Sequence, residues 1–288
     1  MSVGPVLCIG AAHWDAIGFA PERVRRGDDL PGRVRRVPGG VALNLALWLR
    51  REGLAVELIT ALGADAAGRE LLALAEGAGI GCGGVVRRPG QQTGCYVAIE
   101  DASGLVAAVA DTAALVAAGR ALLGPLRAAA WVELAVVDGN LDADVLAGAA
   151  AALAGVTLCV AGASPAKAGR LRAVLGHPAL VLYLNRAEAG ALCGTAFADS
   201  RHAAEGVRNL GAMAALVTDG AGAAAWADAS GVVEAAPPPL RCAPRVTGAG
   251  DRLMAAHIAA RLRGAAPGVA LSQALACTAE YLGQGEPA

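Results

Sequence analysis

Thr247-Gly248-Ala249-Gly250-Asp251 stands directly before a run, Arg252 to Arg263, that reads as a helix. Two glycines and an alanine let the backbone turn tightly and bring its N–H groups close to an anion. The positive end of a helix dipole falls at the same spot. Asp251, fixed in that turn, stands beside whatever anion binds. This equipment suits phosphoryl transfer: N–H groups hold the migrating group, and a carboxylate takes the proton from an attacking hydroxyl. Most short Gly-rich turns are plain helix starts or C-caps, so the reading depends on the rest of the chain.

Four further places carry residue types that fit such chemistry. Asp15 lies just past the first apolar run, in Gly10-Ala11-Ala12-His13-Trp14-Asp15, where a carboxylate can accept from vicinal sugar hydroxyls; it reads equally as a solvated loop Asp or an N-cap. Gly39 and Gly40 let a ligand approach the backbone, and Asn44 on the following helix reads hydroxyls as donor and acceptor. An ordinary loop-to-helix start explains them as well. Asn185 ends a strand, and Glu188 falls in the next helical turn. That pair can face a metal-bound phosphate, since Mg²⁺ prefers one or two carboxylates plus waters; taken alone it is better read as a capping box. Thr218 and Gly220, in Thr218-Asp219-Gly220-Ala221-Gly222, line a nucleotide or form a turn between strands. The four histidines show neither metal spacing nor a nucleophile partner and receive no role. Ser164 is not in a G-x-S-x-G elbow, which argues against an α/β-hydrolase.

Elements must hold these residues in place, and composition bounds what they are. A chain of 288 residues can bury a full core. A formal net charge of -1 gives no global reason to bind nucleic acid or membrane. The basic cluster around Arg23 to Arg36 is interrupted by Asp28 and Asp29 and reads as a solvated or substrate-facing edge. Seven scattered cysteines with no C-x-x-C pair read as free thiols. Apolar runs break before spanning length, and the N-terminus shows no basic stretch followed by an apolar run and cleavage site. The expectation is a soluble cytoplasmic protein with no nucleic-acid or membrane partner.

Short apolar runs alternate with helical stretches. Strands are expected at Val6–Gly10, Val56–Ala61, Val132–Val137, Thr157–Ala161, Leu180–Leu184 and Ala215–Thr218. Helices are expected at Val41–Arg51, Ala67–Glu76, Asp142–Leu153, Ala166–Leu175, Arg186–Leu192 and His202–Leu210. That alternation predicts an α/β fold: one domain over 1–288 with a mostly parallel sheet covered by helices on both faces. Residues 15–37 and 93–110 break the rhythm with β-like segments (Val34–Val37, Gly94–Ile99, Leu105–Ala110) and a hairpin turn at Ala102-Ser103-Gly104. Two such insertions can pair into a small β lid beyond the strands' carboxyl ends, where open parallel sheets bind ligands.

Taken in order, these elements resemble the ribokinase-like (PfkB) carbohydrate and nucleoside kinases. The likeness runs from Gly10…Asp15 through Gly39-Gly40-Val41-Ala42-Leu43-Asn44, Leu62-Gly63-Ala64-Asp65-Ala66-Ala67-Gly68 and Asn185-Arg186-Ala187-Glu188 to Gly248-Ala249-Gly250-Asp251. Within the family, five strings look most like pseudouridine kinases: Pro31–Arg36 before Pro38-Gly39-Gly40, Thr93-Gly94-Cys95-Tyr96, Ala110-Asp111, Asp138-Gly139-Asn140-Leu141 and Ser164-Pro165-Ala166-Lys167-Ala168. The resemblance implies ATP and Mg²⁺ as cofactors and pseudouridine as acceptor, or else ribose or another nucleoside. It makes Asp251 the base, which need not have a strongly raised pKa, and Gly248, Ala249 and Gly250 the anion hole. Asp15, Gly39, Gly40 and Asn44 then hold the ribose, with Asp111 and Lys167 on the substrate side. Asn185, Thr218, Gly220 and Thr247 serve the nucleotide, and Glu188 serves Mg²⁺ through water. It also implies a small-molecule nucleoside or sugar partner and a homodimer through the lid. Two departures stand out. Arg245 replaces a residue of the family's monovalent-cation site, and Arg252 replaces a usual alanine, where it is expected to contact phosphate or perturb the site. With the compressed Thr218–Gly222 loop, they leave open a ligand-binding protein that kept the fold without turnover.

Overall fold

The computed structural model describes residues 4–128, 132–240 and 248–283. Cys242, Arg245 and Thr247 therefore lie outside the described residues. The chain opens with β1 (Val6–Ile9), β2 (His13–Phe19), β3 (Arg33–Gly39), α1 (Val41–Arg51), β4 (Val56–Ile59) and β5 (Ala61–Gly63). Next come α2 (Ala66–Gly77), β6 (Val86–Arg88), β7 (Cys95–Asp101), β8 (Gly104–Asp111) and α3 (Ala113–Ala118). β9 (Leu134–Asp138), α4 (Ala143–Ala152), β10 (Thr157–Ala161), β11 (Leu180–Asn185), α5 (Arg186–Cys193) and α6 (Ser200–Asn209) follow. β12 (Ala214–Thr218), β13 (Ala224–Asp228), β14 (Gly231–Ala235), α7 (Ala249–Leu262) and α8 (Pro267–Gly283) complete it.

The main sheet has eight strands in the order β14-β13-β12-β11-β10-β9-β1-β4. It is parallel from β12 to β4, and β13 and β14 turn back antiparallel at one edge. Strands covered on both faces need apolar residues on both, which is why β1 and β9 are buried along their whole length. Alternation divides them between two cores. Leu7, Ile9 and Val137 face Leu146, Leu192 and Val207 of α4, α5 and α6. Val6, Cys8 and Val136 face Leu45, Leu49, Met254 and Leu271 of α1, α7 and α8. Burying Leu45 and Leu49 stabilises the docking of α1 by about 1.5–3 kcal/mol each. The two helices that carry Asn44 and Asp251 thus lie on one face, side by side.

A second sheet, in the order β3-β2-β7-β8, comes from the two stretches that lack helical period. Asp15 belongs to it, paired with Val37 and Tyr96, and is neither a solvated loop residue nor an N-cap. Alternate residues of β2 turn inward, which buries Asp15 and Ile17. The segment expected as a helix at Ala166–Leu175 is a 3₁₀ run over Ala168–Val174. Its entry is closed by i→i−3 bonds from Lys167 N to Ser164 O (3.0 Å) and Arg170 N to Lys167 O (2.9 Å). Pro165 and Gly169 disfavour a full α turn there. No helix among the described residues is long and apolar enough to cross a membrane.

Candidate active site

α7 begins earlier than its apolar pattern suggests, at Ala249, so Asp251 sits inside its first turn. Gly248 is the N-cap with φ 82°, a left-handed conformation that suits glycine, and no side chain caps the helix start. First-turn N–H groups have no intrahelical acceptor, so those of Ala249, Gly250 and Asp251 remain for a ligand. Asn44 Nδ2 donates to Asp251 Oδ2 at 2.9 Å. Burial pushes the Asp251 carboxyl up to about 7 against that hydrogen bond, and the charges of Asp138 and Asp15 push the same way. The mechanism did not require such a shift; burial is its main cause, and the neighbouring carboxylates add to it.

Asp251 and Gly248 line a cavity of about 540 Å³ with Asp15, Gly40, Asn44 and Lys167. Asp15 Oδ1 and His13 Nδ1 lie 2.9 Å apart, yet both are buried with no aligned hydrogen-bond partner. Buried polar atoms without a satisfied bond beside a cavity fit a site built for a polar ligand. Gly39 leaves the room Asp15 occupies: a Cβ there falls 2.1 Å from Asp15 Oδ1. Gly40 has φ 93°, and its Cβ falls 2.5 Å from Ala11 O. Neither position tolerates a side chain without moving the cavity wall.

The far wall is polar. Asp138 Oδ2 accepts from Ala11 N at 3.0 Å, and its Oδ1 accepts from Asn140 N and Nδ2 at 2.8 and 2.9 Å. Asn140 is thereby oriented so that its Oδ1 accepts from Lys167 Nζ at 2.7 Å. Arg170 Nη1 donates to the Asn140 carbonyl at 2.8 Å. Asp111 does not line this cavity: its Oδ1 accepts from Ala113 N at 2.9 Å, while Ala110 and Thr112 face inward. His13 and Asn140 line the cavity and Asp138 stands behind it; in the sequence His13 carries no assigned role, and Asp138 and Asn140 stand only within a resembling string, without a role. Asp138 gains its place from the β9–β1 register.

Asn185, Thr218 and Gly220 line a different, more open cavity of about 850 Å³, also at the carboxyl edge of the sheet. Arg186 Nε pairs there with Asp219 Oδ1 at 2.8 Å, and its Nη1 donates to Phe197 O at 2.8 Å. Asn185 and Glu188 form a full capping box: Asn185 Oδ1 accepts from Glu188 N, and Glu188 Oε2 accepts from Asn185 N, both at 2.9 Å. Burial raises the Glu188 carboxyl above its ordinary range despite those bonds. No cluster of three or more His, Cys, Asp or Glu among the described residues can hold a metal ion. Glu188 is buried and lines neither cavity, so a hydrated Mg²⁺ beside it would be carried mainly by phosphates and water. Arg252 turns away from both cavities to Glu52 and Trp48, so the expected contact with the site is not made.

A model of the pfkB family of carbohydrate kinases matches residues 5–286. Pseudouridine kinase from Escherichia coli strain K12 is 29% identical over 257 residues, 87% of this chain and 81% of that protein. A carbohydrate kinase from Agrobacterium tumefaciens is 30% identical with a TM-score of 0.77, over 96% of this chain and 90% of that one. Arabidopsis thaliana ribokinase complexed with ribose and ATP shares the fold at a TM-score of 0.82 and 20% identity, over 99% and 94% of the two chains. The fold is ribokinase-like, and the activity is phosphoryl transfer to a hydroxyl of a sugar or nucleoside. The chain belongs to the pfkB family of carbohydrate kinases.

Proposed function

We propose that the protein transfers the γ-phosphoryl group of ATP to the 5′-hydroxyl of pseudouridine, giving pseudouridine 5′-phosphate and ADP. The observation that carries the chemistry is Asp251 at the uncapped start of α7, hydrogen-bonded to Asn44 and open to the same cavity as Asp15. Asp15 and Asn44, with the backbone at Gly39 and Gly40, hold the ribose hydroxyls. Asp251 takes the proton as the substrate oxygen bonds to the γ-phosphorus and the bond to the ADP oxygen breaks. N–H groups at the helix start receive the charge that develops on the phosphoryl oxygens. Asn185, Thr218 and Gly220 serve the nucleotide, with Thr247 from outside the described residues. Mg²⁺ offsets phosphate charge when bound, and Glu188 offers its shell a carboxylate through water. The second sheet acts as a lid that keeps water from competing as acceptor. We assign the protein to the cytoplasm.

The base is read from the cavity's size and far wall. A space of about 540 Å³ exceeds a pentose, and Asn140, Lys167 and Arg170 face it with groups that suit the carbonyl and N–H edge of a uracil ring. The 29% identical pseudouridine kinase supports the same acceptor. Coupled ADP release compared across pseudouridine, uridine, adenosine, inosine, ribose and fructose tests this. Pseudouridine is expected to give the highest kcat/KM, and turnover no better than with ribose or inosine overturns the assignment.

A further inference from the structure

Asn44, Trp48 and Glu52 recur every four residues, which places them along one face of α1 and its C-cap. Each meets α7. Asn44 holds the Asp251 carboxylate. Trp48 lies under the Arg252 guanidinium, 4.8 Å from its ring centroid. Glu52 Oε1 accepts from Arg252 Nη1 at 2.8 Å, and Glu52 Oε2 pairs with Arg263 Nη1 at 3.2 Å. α8 closes the cluster from a third side. Tyr281 packs edge-on against Trp48, 5.4 Å between centroids, and its Oη lies 2.9 Å from where a Cβ on Gly248 would stand. The Arg252 and Glu52 side chains are only 12% and 18% exposed, so solvent screens them little.

We infer that Arg252 is a positioning residue for phosphoryl transfer: with Trp48 and Glu52 it fixes the register of α7 against α1, and so sets where Asp251 and the helix-start N–H groups stand. The inference rests on the reading of Asp251 as the base. Arg252 lines neither cavity and acts only through the helix that carries its neighbour. Its planar fork stacks on Trp48 while donating to Glu52, a geometry that holds a helix in rotation as well as in height. Apolar packing of Leu45 and Leu49 against Met254 still holds the two helices together without this cluster, but it is non-directional and leaves the Asn44–Asp251 bond as the polar contact that aligns the helix starts. A misplacement of about 1 Å at a reacting group can cost about 10²-fold in rate.

The test uses Arg252→Met, which keeps the stem and removes the fork, Glu52→Gln, which is nearly isosteric, and Arg252→Lys. Steady-state ADP release is measured with ATP and the best acceptor of the panel above, normalised to folded protein by circular dichroism. Arg252→Met and Glu52→Gln are each expected to lower kcat about 10–100-fold with both KM values within about threefold, since positioning is lost while binding is kept. The double variant should be no worse than Arg252→Met, and Arg252→Lys should recover part of the loss. If Arg252→Met does not fold, Glu52→Gln carries the test. Wild-type kcat per folded molecule with a lowered Tm overturns the inference, because the cluster then only packs helices. A tenfold rise in the KM for ATP at full kcat also overturns it, because Arg252 then serves phosphate directly. Asp251→Asn in the same assay separates the two readings. If it turns over normally, base and inference fall together. If it is inactive while Glu52→Gln and Arg252→Met keep full kcat, only the inference falls.

Discussion

Asp251 shares its surroundings with the negative charges of Asp15 and Asp138, and burial with those charges lifts its carboxyl to about 7. A base must be ionised to accept a proton, so kcat/KM is expected to climb with pH through about 7 and level off above it. Asn44 donates to the charged form, so Asn44→Ala should move that limb to higher pH. A pH profile that is flat from 5 to 8 in both proteins contradicts this placement. The sign for stability follows from the same shift. The folded carboxyl sits above the unfolded reference of about 3.9, so its contribution is present below that value and lost as pH rises through about 7. Asp251→Asn should therefore melt higher than the parent at pH 8, with the gap closing toward pH 5. Asn44 and the α7 turn were legible because residue type and position at an element's start agreed, whereas Asp15, expected just past the first strand, lies inside β2. The part Asp138 plays was not legible, because it bonds the backbone of Ala11, 127 residues away, and His13 received no role because its closeness to Asp15 arises only once both lie in β2.

At the scale of elements, the parallel strands and α1 were legible because burial on both faces, or on one stripe, leaves a periodic signal. β13 and β14 were not foreseen, and the run after Ser164 was read as α-helix; edge strands and tight 3₁₀ turns depend on local hydrogen bonds more than on pattern. One such junction ties the two sheets together. Asp65 caps α2 by accepting from Gly68 N at 2.8 Å, and it also accepts from Thr93 N at 2.8 Å and Thr93 Oγ1 at 2.6 Å. Thr93 leads directly into β7, so this carboxylate anchors the entry of the second sheet. Partial burial raises the Asp65 carboxyl, but the bonds from Thr93 and Gly68 win and leave it below its usual range. Its stabilisation is present above the unfolded value of about 3.9 and lost as pH falls below it. Asp65→Ala is expected to cost about 2–4 kcal/mol and to lower Tm by roughly 3–7 °C at neutral pH. A Tm within about 1 °C of the parent on a thermal scan, against that expected shift, would show that the anchor is not needed.

The whole molecule places two cavities along one edge of the main sheet, with the second sheet standing over the carboxylate-lined one. That sheet's other face is apolar and bare: Val34, Val97, Ile99 and Val109 are all exposed, with Val97 and Val109 directly paired across β7 and β8. Exposed strands with an apolar face invite pairing with another copy. A homodimer through this lid is expected by sedimentation, and Val109→Glu should shift it toward monomer; a parent that sediments as a monomer at high concentration contradicts the proposal. Catalysis by Asp251 depends on its carboxylate at a helix start and on the cavity beneath the second sheet. Its most direct measurement is ADP release from ATP and pseudouridine by Asp251→Asn beside the parent protein. A loss of about 10²–10⁴-fold in kcat is expected, with ATP binding largely kept. Turnover equal to the parent's would contradict it.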